Sequence, residues 1–172
     1  MEVRIRDEIL GEATFDLNIL PKSGLAGTRE RYIEHTVRSA VRPSLLLGLH
    51  PRSLIQMTSQ VVTHDQEEGT ILETIASVIN SIVLASVDAG ISMNYMLAAA
   101  VVKSAAYGRH VACYSFPKHE LLMLESQGPF KREQIPQVLE DALLECVAVH
   151  DTMRIKIEEK VAKDNRWRDE AL

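Results

Sequence analysis

Six basic side chains gather in the first third of the chain: Lys22, Arg29, Arg31, Arg38, Arg42 and Arg52. A guanidinium presents N–H donors in a fork that matches two oxygens of a phosphate, so several arginines in one region can grip a phosphate backbone. Arg31, Arg38 and Arg42 fall on the flank of a helical pattern whose apolar ridge is Ile33, Val37 and Val41. The same flank would serve as a solvated face laced with ion pairs. Both readings, ion pairs and contact with an RNA backbone, stay open on the residues alone.

Other groups carry less chemistry. His35, His50, His64, His110, His119 and His150 show no pairing four residues apart and no carboxylate at ligand spacing, so neither a zinc site nor a catalytic triad is expected. His150 falls on the apolar stripe of the last helical pattern and reads as a core or interface histidine. Asp65, Glu67 and Glu68 cluster in a short acidic loop at residues 64–69, where solvated acids are ordinary; with Asp88 they are the one set that could be imagined as metal ligands. Asp88 itself reads as a structural residue at a turn. Gly24-Leu25-Ala26-Gly27 lacks the lysine and following hydroxyl of a phosphate loop and reads as a turn. Cys113 and Cys146 sit far apart inside apolar runs and are expected as buried free thiols, as in a cytosolic or nuclear protein. Neither a catalytic residue nor a metal or cofactor site is expected.

The elements that must position these groups follow from periodicity. The chain has 172 residues, 46% of them hydrophobic and only 5% aromatic, so the core is built from Leu, Ile, Val and Ala. A net charge of -5 argues against broad coating of nucleic acid by this chain alone, while leaving room for a local basic patch. Residues 2–6 alternate and read as a strand, as do residues 13–20, with Phe15, Leu17 and Ile19 on one face. A helix begins at Thr28, taken as its N-cap, and ends at Pro43. A strand is expected over 53–63, a long apolar helix over 70–89 stopped by Gly90, and strands over 95–104, 110–115 and 120–125. The last helix spans about 132–163, roughly 45–50 Å at ~1.5 Å per residue. The pattern makes an α+β layer architecture: one domain over 1–163 and a polar tail over 164–172. The first residues do not read as a signal peptide. The longest apolar run carries Glu73, Asn80 and Asp88, so no membrane span is expected.

Several short motifs occur in one order: Glu2-Val3-Arg4, Lys22 to Gly24, Thr28-Arg29-Glu30-Arg31-Tyr32-Ile33, Leu49-His50-Pro51-Arg52-Ser53, Ile79-Asn80 and Val87-Asp88-Ala89-Gly90-Ile91. In that order the chain resembles the RNase PH family, and within it the ring subunits of the eukaryotic RNA exosome, from Glu2 to about Val161. The resemblance implies an RNase PH domain: a mixed β-sheet packed with helices, with a left-handed βαβ crossover. It also implies a hexameric ring of three heterodimers of RNase PH-like subunits, an RNA-binding cap subunit, and RNA threaded through the channel. The implied work is 3′-to-5′ RNA processing and degradation in nucleus, nucleolus and cytoplasm, with no membrane. Against the family pattern the chain reads as N-terminally shortened, with strands before Glu2 missing and a shortened hairpin at 103–108.

In active relatives a phosphate is held by an arginine near the start of the first helix and by a Thr-Arg pair at the start of the second. Counted back from Asp88, that pair falls on Thr74 and Ile75, so the arginine is replaced by an aliphatic residue. Arg29 is the nearest candidate for the other arginine. The later acidic residues should follow Val102, and residues 103–116 contain no Asp or Glu. What the resemblance then implies is a non-catalytic structural subunit of the ring, with Lys22, Arg29 and Arg31 as RNA-backbone contacts. The alternative is a self-assembled, homodimeric, metal-dependent nuclease built on Asp65, Glu67, Glu68 or Asp88.

Overall fold

A computed structural model of the chain describes residues 8–62, 70–104 and 108–169. Its elements are β1 (Thr14–Leu20), α1 (Thr28–Val41), β2 (Leu54–Gln60), α2 (Thr70–Asp88), β3 (Met96–Ser104), β4 (Gly108–Phe116), β5 (Leu121–Gln127) and α3 (Ile135–Asp169). Short 3-10 turns occupy Arg42–Ser44, Leu47–Leu49 and Arg132–Gln134. The expected strand at 2–6 and the acidic loop at 64–69 lie outside the described residues.

The strands form two sheets: a parallel pair, β1–β2, and an antiparallel triplet in the order β3-β4-β5. The parallel and antiparallel pairing expected of a mixed α+β architecture is thus present, in two sheets among the described residues. Among the described residues an antiparallel bridge, Leu45 to Met93, links the two regions. It is flanked by bonds from Leu46 N–H to Ser92 O (3.0 Å) and from Asn94 N–H to Ser44 O (2.7 Å). β1 forms because its period-2 alternation sends Phe15, Leu17 and Ile19 into the core and Thr14, Asp16 and Asn18 outward.

Helix α2 lies at the centre and packs on α1, β2, β3 and β4. Ile75, Ile79 and Val83, at i, i+4 and i+8, are fully buried. Contrary to the sequence expectation, Ile71–Asp88 is long and apolar enough to cross a membrane, with a mean hydropathy of 1.6. The fold explains that apolarity: the helix is covered on several sides by the chain's own sheets and α1. It ends in a left-handed glycine. Gly90 has φ 67°, its N–H bonds Val87 O (3.1 Å), and Ile91 N–H bonds Ser86 O (2.9 Å), the paired closure of a Schellman end.

A second core lies between the antiparallel sheet and α3. Ala98, Ala100 and Ala112 present small side chains there and let Ala142 and Cys146 of α3 come close. The Tyr114 hydroxyl donates to Leu139 O (3.0 Å), and Cys146 Sγ lies 3.6 Å from Ala112 O. His150 is half-buried in this layer and stacks on Phe116, ring centroids 4.3 Å apart and planes 8° from parallel.

Two boundaries differ from the sequence expectation. Gly27, not Thr28, is the N-cap of α1, because the Glu30 carboxylate reaches back to accept the Gly27 N–H at 2.7 Å. The last helix runs on to Asp169, so the residues assigned to a polar tail begin as helix. No glycine or proline interrupts 154–169, and ion pairs Arg154–Glu158 (2.9 Å) and Lys156–Glu159 (2.8 Å) support that stretch. Lys160 also pairs with Asp88 of α2. Asp88 is exposed and clasps the last helix to the second, rather than closing a turn.

Both cysteines are free and buried, as expected. Burial pushes the Cys113 thiol up to about 12, with the neighbouring Cys146 adding to it; burial likewise pushes Cys146 up to about 12. A raised thiol pKa means the folded state holds its proton longer than the unfolded chain. The associated stability is complete below about pH 9 and is lost as pH rises toward 12. Urea titrations from pH 8 to 10.5 should show stability falling by up to ~1.4 kcal/mol per pH unit per thiol, and Cys146→Ala should flatten that slope. Equal slopes in the two proteins would refute the assignment.

Candidate nucleic-acid interface

The start of α1, the loop after β1 and the first turns of α2 converge on one small cavity of about 50 Å³. Its polar lining is Lys22, Arg29, Glu30 and Thr74; its apolar lining is Ile19, Pro21, Ile33 and Val61. Two of the three candidate RNA contacts, Lys22 and Arg29, therefore meet, and Thr74 joins them from a position 45 residues further along the chain than Arg29. The parallel register of β1 and β2 makes this possible. It brings the ends of both strands to the same side, where Val61 N–H bonds Leu20 O (3.0 Å), and the helices that cross and follow them start there.

Lys22 is exposed and has no acidic partner among the described residues. Arg29 is half-buried at the base of α1. Arg31 does not enter the cavity; it points outward on α1, 68% exposed, and pairs with Glu34 at 3.3 Å. The rest of the basic stretch is likewise engaged within the chain. Arg38 bonds Glu34 (3.2 Å), Asp16 (3.4 Å) and Leu17 O (3.2 Å). Arg42 pairs with Glu12 at 2.5 Å, and Arg52 with Glu8 at 3.0 Å. The ion-pair reading thus describes Arg31, Arg38, Arg42 and Arg52, and the cations that line the cavity are Lys22 and Arg29.

The chemistry available there is narrow. Two cations, a hydroxyl and the positive end of α1 favour an anion. The one carboxylate, Glu30, is committed to the Gly27 N–H. Ile75 is 0% exposed and sits in the core among the apolar side chains of α2 rather than at the cavity. Glu73, at the first turn of α2, is paired with Lys103 at the end of β3. Of the residues named for a metal-dependent alternative, Asp65, Glu67 and Glu68 lie outside the described residues, and Asp88 is held by Lys160 on the far end of α2.

Two residues that matter to the site's framework, Asn80 and Glu30, act by bonding backbone groups. Asn80 of α2 donates Nδ2 to Ala99 O (2.8 Å) and accepts the Ala99 N–H (2.9 Å), clamping the helix to β3. Its place among Val78, Ile79, Ile82 and Val83, the most apolar stretch of the helix, was the available clue. Glu30 could have been found from its place three residues after Gly27, the spacing of a reciprocal cap.

Comparison with known proteins agrees with this architecture. Residues 6–92, half of the chain, match the model of the RNase_PH family, 3′ exoribonuclease family, domain 1. The chain is 33% identical to Exosome complex component rrp46 of Schizosaccharomyces pombe, over 90% of this chain and 74% of that protein. It is 25% identical to Exosome complex component RRP46 of Saccharomyces cerevisiae, over 94% of this chain and 83% of that protein. Among solved structures, rice (Oryza sativa) Rrp46 superposes with a TM-score of 0.75 at 20% identity, covering 91% of this chain and 78% of that one. The archaeal exosome core superposes with a TM-score of 0.59 at 5% identity, covering 89% and 72%. At those identities the structural likenesses carry the fold; the family match and the yeast relatives carry the membership. The chain belongs to the RNase PH, 3′ exoribonuclease family.

Proposed function

We propose that this chain is a non-catalytic ring subunit of an RNA exosome, holding neighbours of the same fold and lending a small cationic surface to RNA that passes it. The observation that carries the reading is the 33% identity, over 90% of the chain, to an exosome component. The cavity supports it: Lys22, Arg29 and Thr74 can meet a phosphate oxygen, while Ile75 is buried away from it. An arrangement that keeps cations without a free acid or base suits contact with RNA better than cleavage of it. The partners in this reading are other RNase PH-like ring subunits, an RNA-binding cap subunit and RNA, in nucleus, nucleolus and cytoplasm.

The test is the native mass of the chain co-expressed with RNase PH-like exosome subunits, followed by assays of the pure chain. The expected results are a defined heteromer and no phosphate-dependent shortening of RNA by the chain alone. In the assembled complex, Lys22→Ala with Arg29→Ala should weaken RNA binding several-fold. Removing one cation from a backbone phosphate should lower the slope of log affinity against log salt by about 0.7. Arg31→Ala should change binding less, because Arg31 is already paired with Glu34. Phosphorolysis by the pure chain would overturn the reading.

A further inference from the structure

Helix α1 is polar on its solvent side except at one position. Its exposed residues are Thr28, Arg31, Tyr32, His35 and Ser39, and Tyr32, 45% exposed, is the one large apolar side chain among them. A protein-docking face needs a contiguous apolar patch, which a single ring among polar neighbours does not make. A single ring does make a platform for a flat ligand.

Three observations define that platform. First, Arg29, Tyr32 and Thr36 follow one another at i, i+3 and i+7 along one flank of α1, and Thr36 is buried. Neighbours at the first of these spacings are about 5–6 Å apart at Cβ, the scale of a single nucleotide. Arg29 lines the cavity with Lys22 and Thr74, so the ring stands one such step from the two cations. Second, the hydroxyl of Tyr32 is turned inward. It meets Glu125 of β5 and Thr36, and its pKa is raised, first by burial and then by the Glu125 charge. The covered end of the side chain is thus the hydroxyl, and the exposure falls on the ring. A ring seated by its polar end loses little freedom when a ligand lies on it. Third, the carboxylate that meets the hydroxyl has a cation beside it. The register sets Val111 opposite Glu125 and Arg109 opposite Gln127, so Arg109 is the diagonal neighbour of Glu125 on the same face of the sheet. Arg109 is half-buried and has no acidic partner among the described residues. Cations therefore come to Tyr32 from two directions, Lys22 and Arg29 from the cavity and Arg109 from the sheet.

We propose that Tyr32 stacks on a base of single-stranded RNA whose backbone phosphate is held by Lys22 and Arg29. The inference rests on the proposed contact between the cavity and RNA, and names what that contact recognises. A base inside a duplex is stacked on both faces and has none to offer, so a ring beside a phosphate site selects an unpaired strand. Every base has such a face, so the contact is indifferent to sequence.

Fluorescence anisotropy of the full chain tests the proposal. The probes are a labelled single-stranded RNA about ten nucleotides long and a ribose-phosphate strand of the same length without bases. Tyr32→Ala should weaken RNA binding about tenfold, and Tyr32→Phe, which keeps the ring, less than about threefold. The wild type and Tyr32→Ala should bind the baseless strand alike. Tyr32→Ala should also leave the salt dependence of RNA binding unchanged, since no cation is lost. Should Tyr32→Ala lower the melting temperature, Tyr32→Leu, which keeps the bulk without the aromatic face, decides. Unchanged RNA binding by Tyr32→Ala, or an equal loss on both strands, overturns the proposal. Weakened binding by Lys22→Ala with Arg29→Ala, and none by Tyr32→Ala, removes the stacking and keeps the backbone contact. A wild type that binds neither strand at about 0.1 mM removes both.

Discussion

Ile75→Arg is expected to break the fold instead of restoring an anion site. Sequence comparison alone invites the substitution, because the family resemblance places a phosphate-binding arginine at this position. In the structure the Ile75 side chain is 0% exposed and packs in the main core with Leu72, Ile79 and Val83. A guanidinium there would lose its hydration and find no counter-charge, and the disrupted packing adds to the cost. A destabilisation of about 4 kcal/mol or more is expected, large enough to unfold a domain of this size. Thr74→Arg is the informative contrast. Thr74 is half-buried and lines the cavity, so a longer side chain can extend toward solvent at a cost below about 1 kcal/mol. Urea unfolding of the two variants, repeated in phosphate and in chloride at equal ionic strength, measures both effects. An Ile75→Arg protein of native stability that is further stabilised by phosphate would show that residue 75 faces the cavity.

Asn80→Ala is expected to cost about 2–3 kcal/mol, far more than its one amide would suggest. The side chain satisfies both backbone groups of Ala99 on the side of β3 that faces away from β4. Removing it leaves a donor and an acceptor without partners against the apolar surface of α2, which is the costly way to lose hydrogen bonds. The amide of Ala99 should exchange with solvent much faster in the variant, while amides in the middle of β4 change little. Equal exchange at Ala99 in both proteins would mean that the clamp contributes nothing. The two predictions test the same element, since Ile75 and Asn80 fix the rotation of α2 from opposite sides: one by what it must bury, the other by what it must bond.

Much of the framework is legible along the chain because it depends on local periodicity. The alternation of Phe15, Leu17 and Ile19 specifies a half-buried strand wherever that strand goes. The ridge of Ile33, Val37 and Val41 specifies a helix with one apolar face. Gly90 marks the end of α2, because a left-handed residue closes the Schellman bonds with little strain. The thiols of Cys113 and Cys146 are readable as buried from the apolar runs that hold them. The boundaries that differ have local causes of another kind. Thr28 has a better capping side chain than Gly27, but Glu30 supplies the acceptor in its place. The helix beyond residue 163 is polar on almost every side, and such polarity suggests a tail, although nothing in it breaks a helix.

What the sequence by itself determined is the set of elements, their apolar faces and the family to which their order belongs, since those follow from spacings a few residues long. Tertiary structure alone decided which polar groups meet. It brought Lys22 and Arg29 to Thr74, turned Arg31 outward to Glu34, drew Asp88 to Lys160, and set Glu125 against Tyr32. The physical reason is that a charged or hydrogen-bonding side chain is specified by its partner. A partner distant in sequence is chosen by strand register and helix rotation, which the burial of the apolar faces sets first.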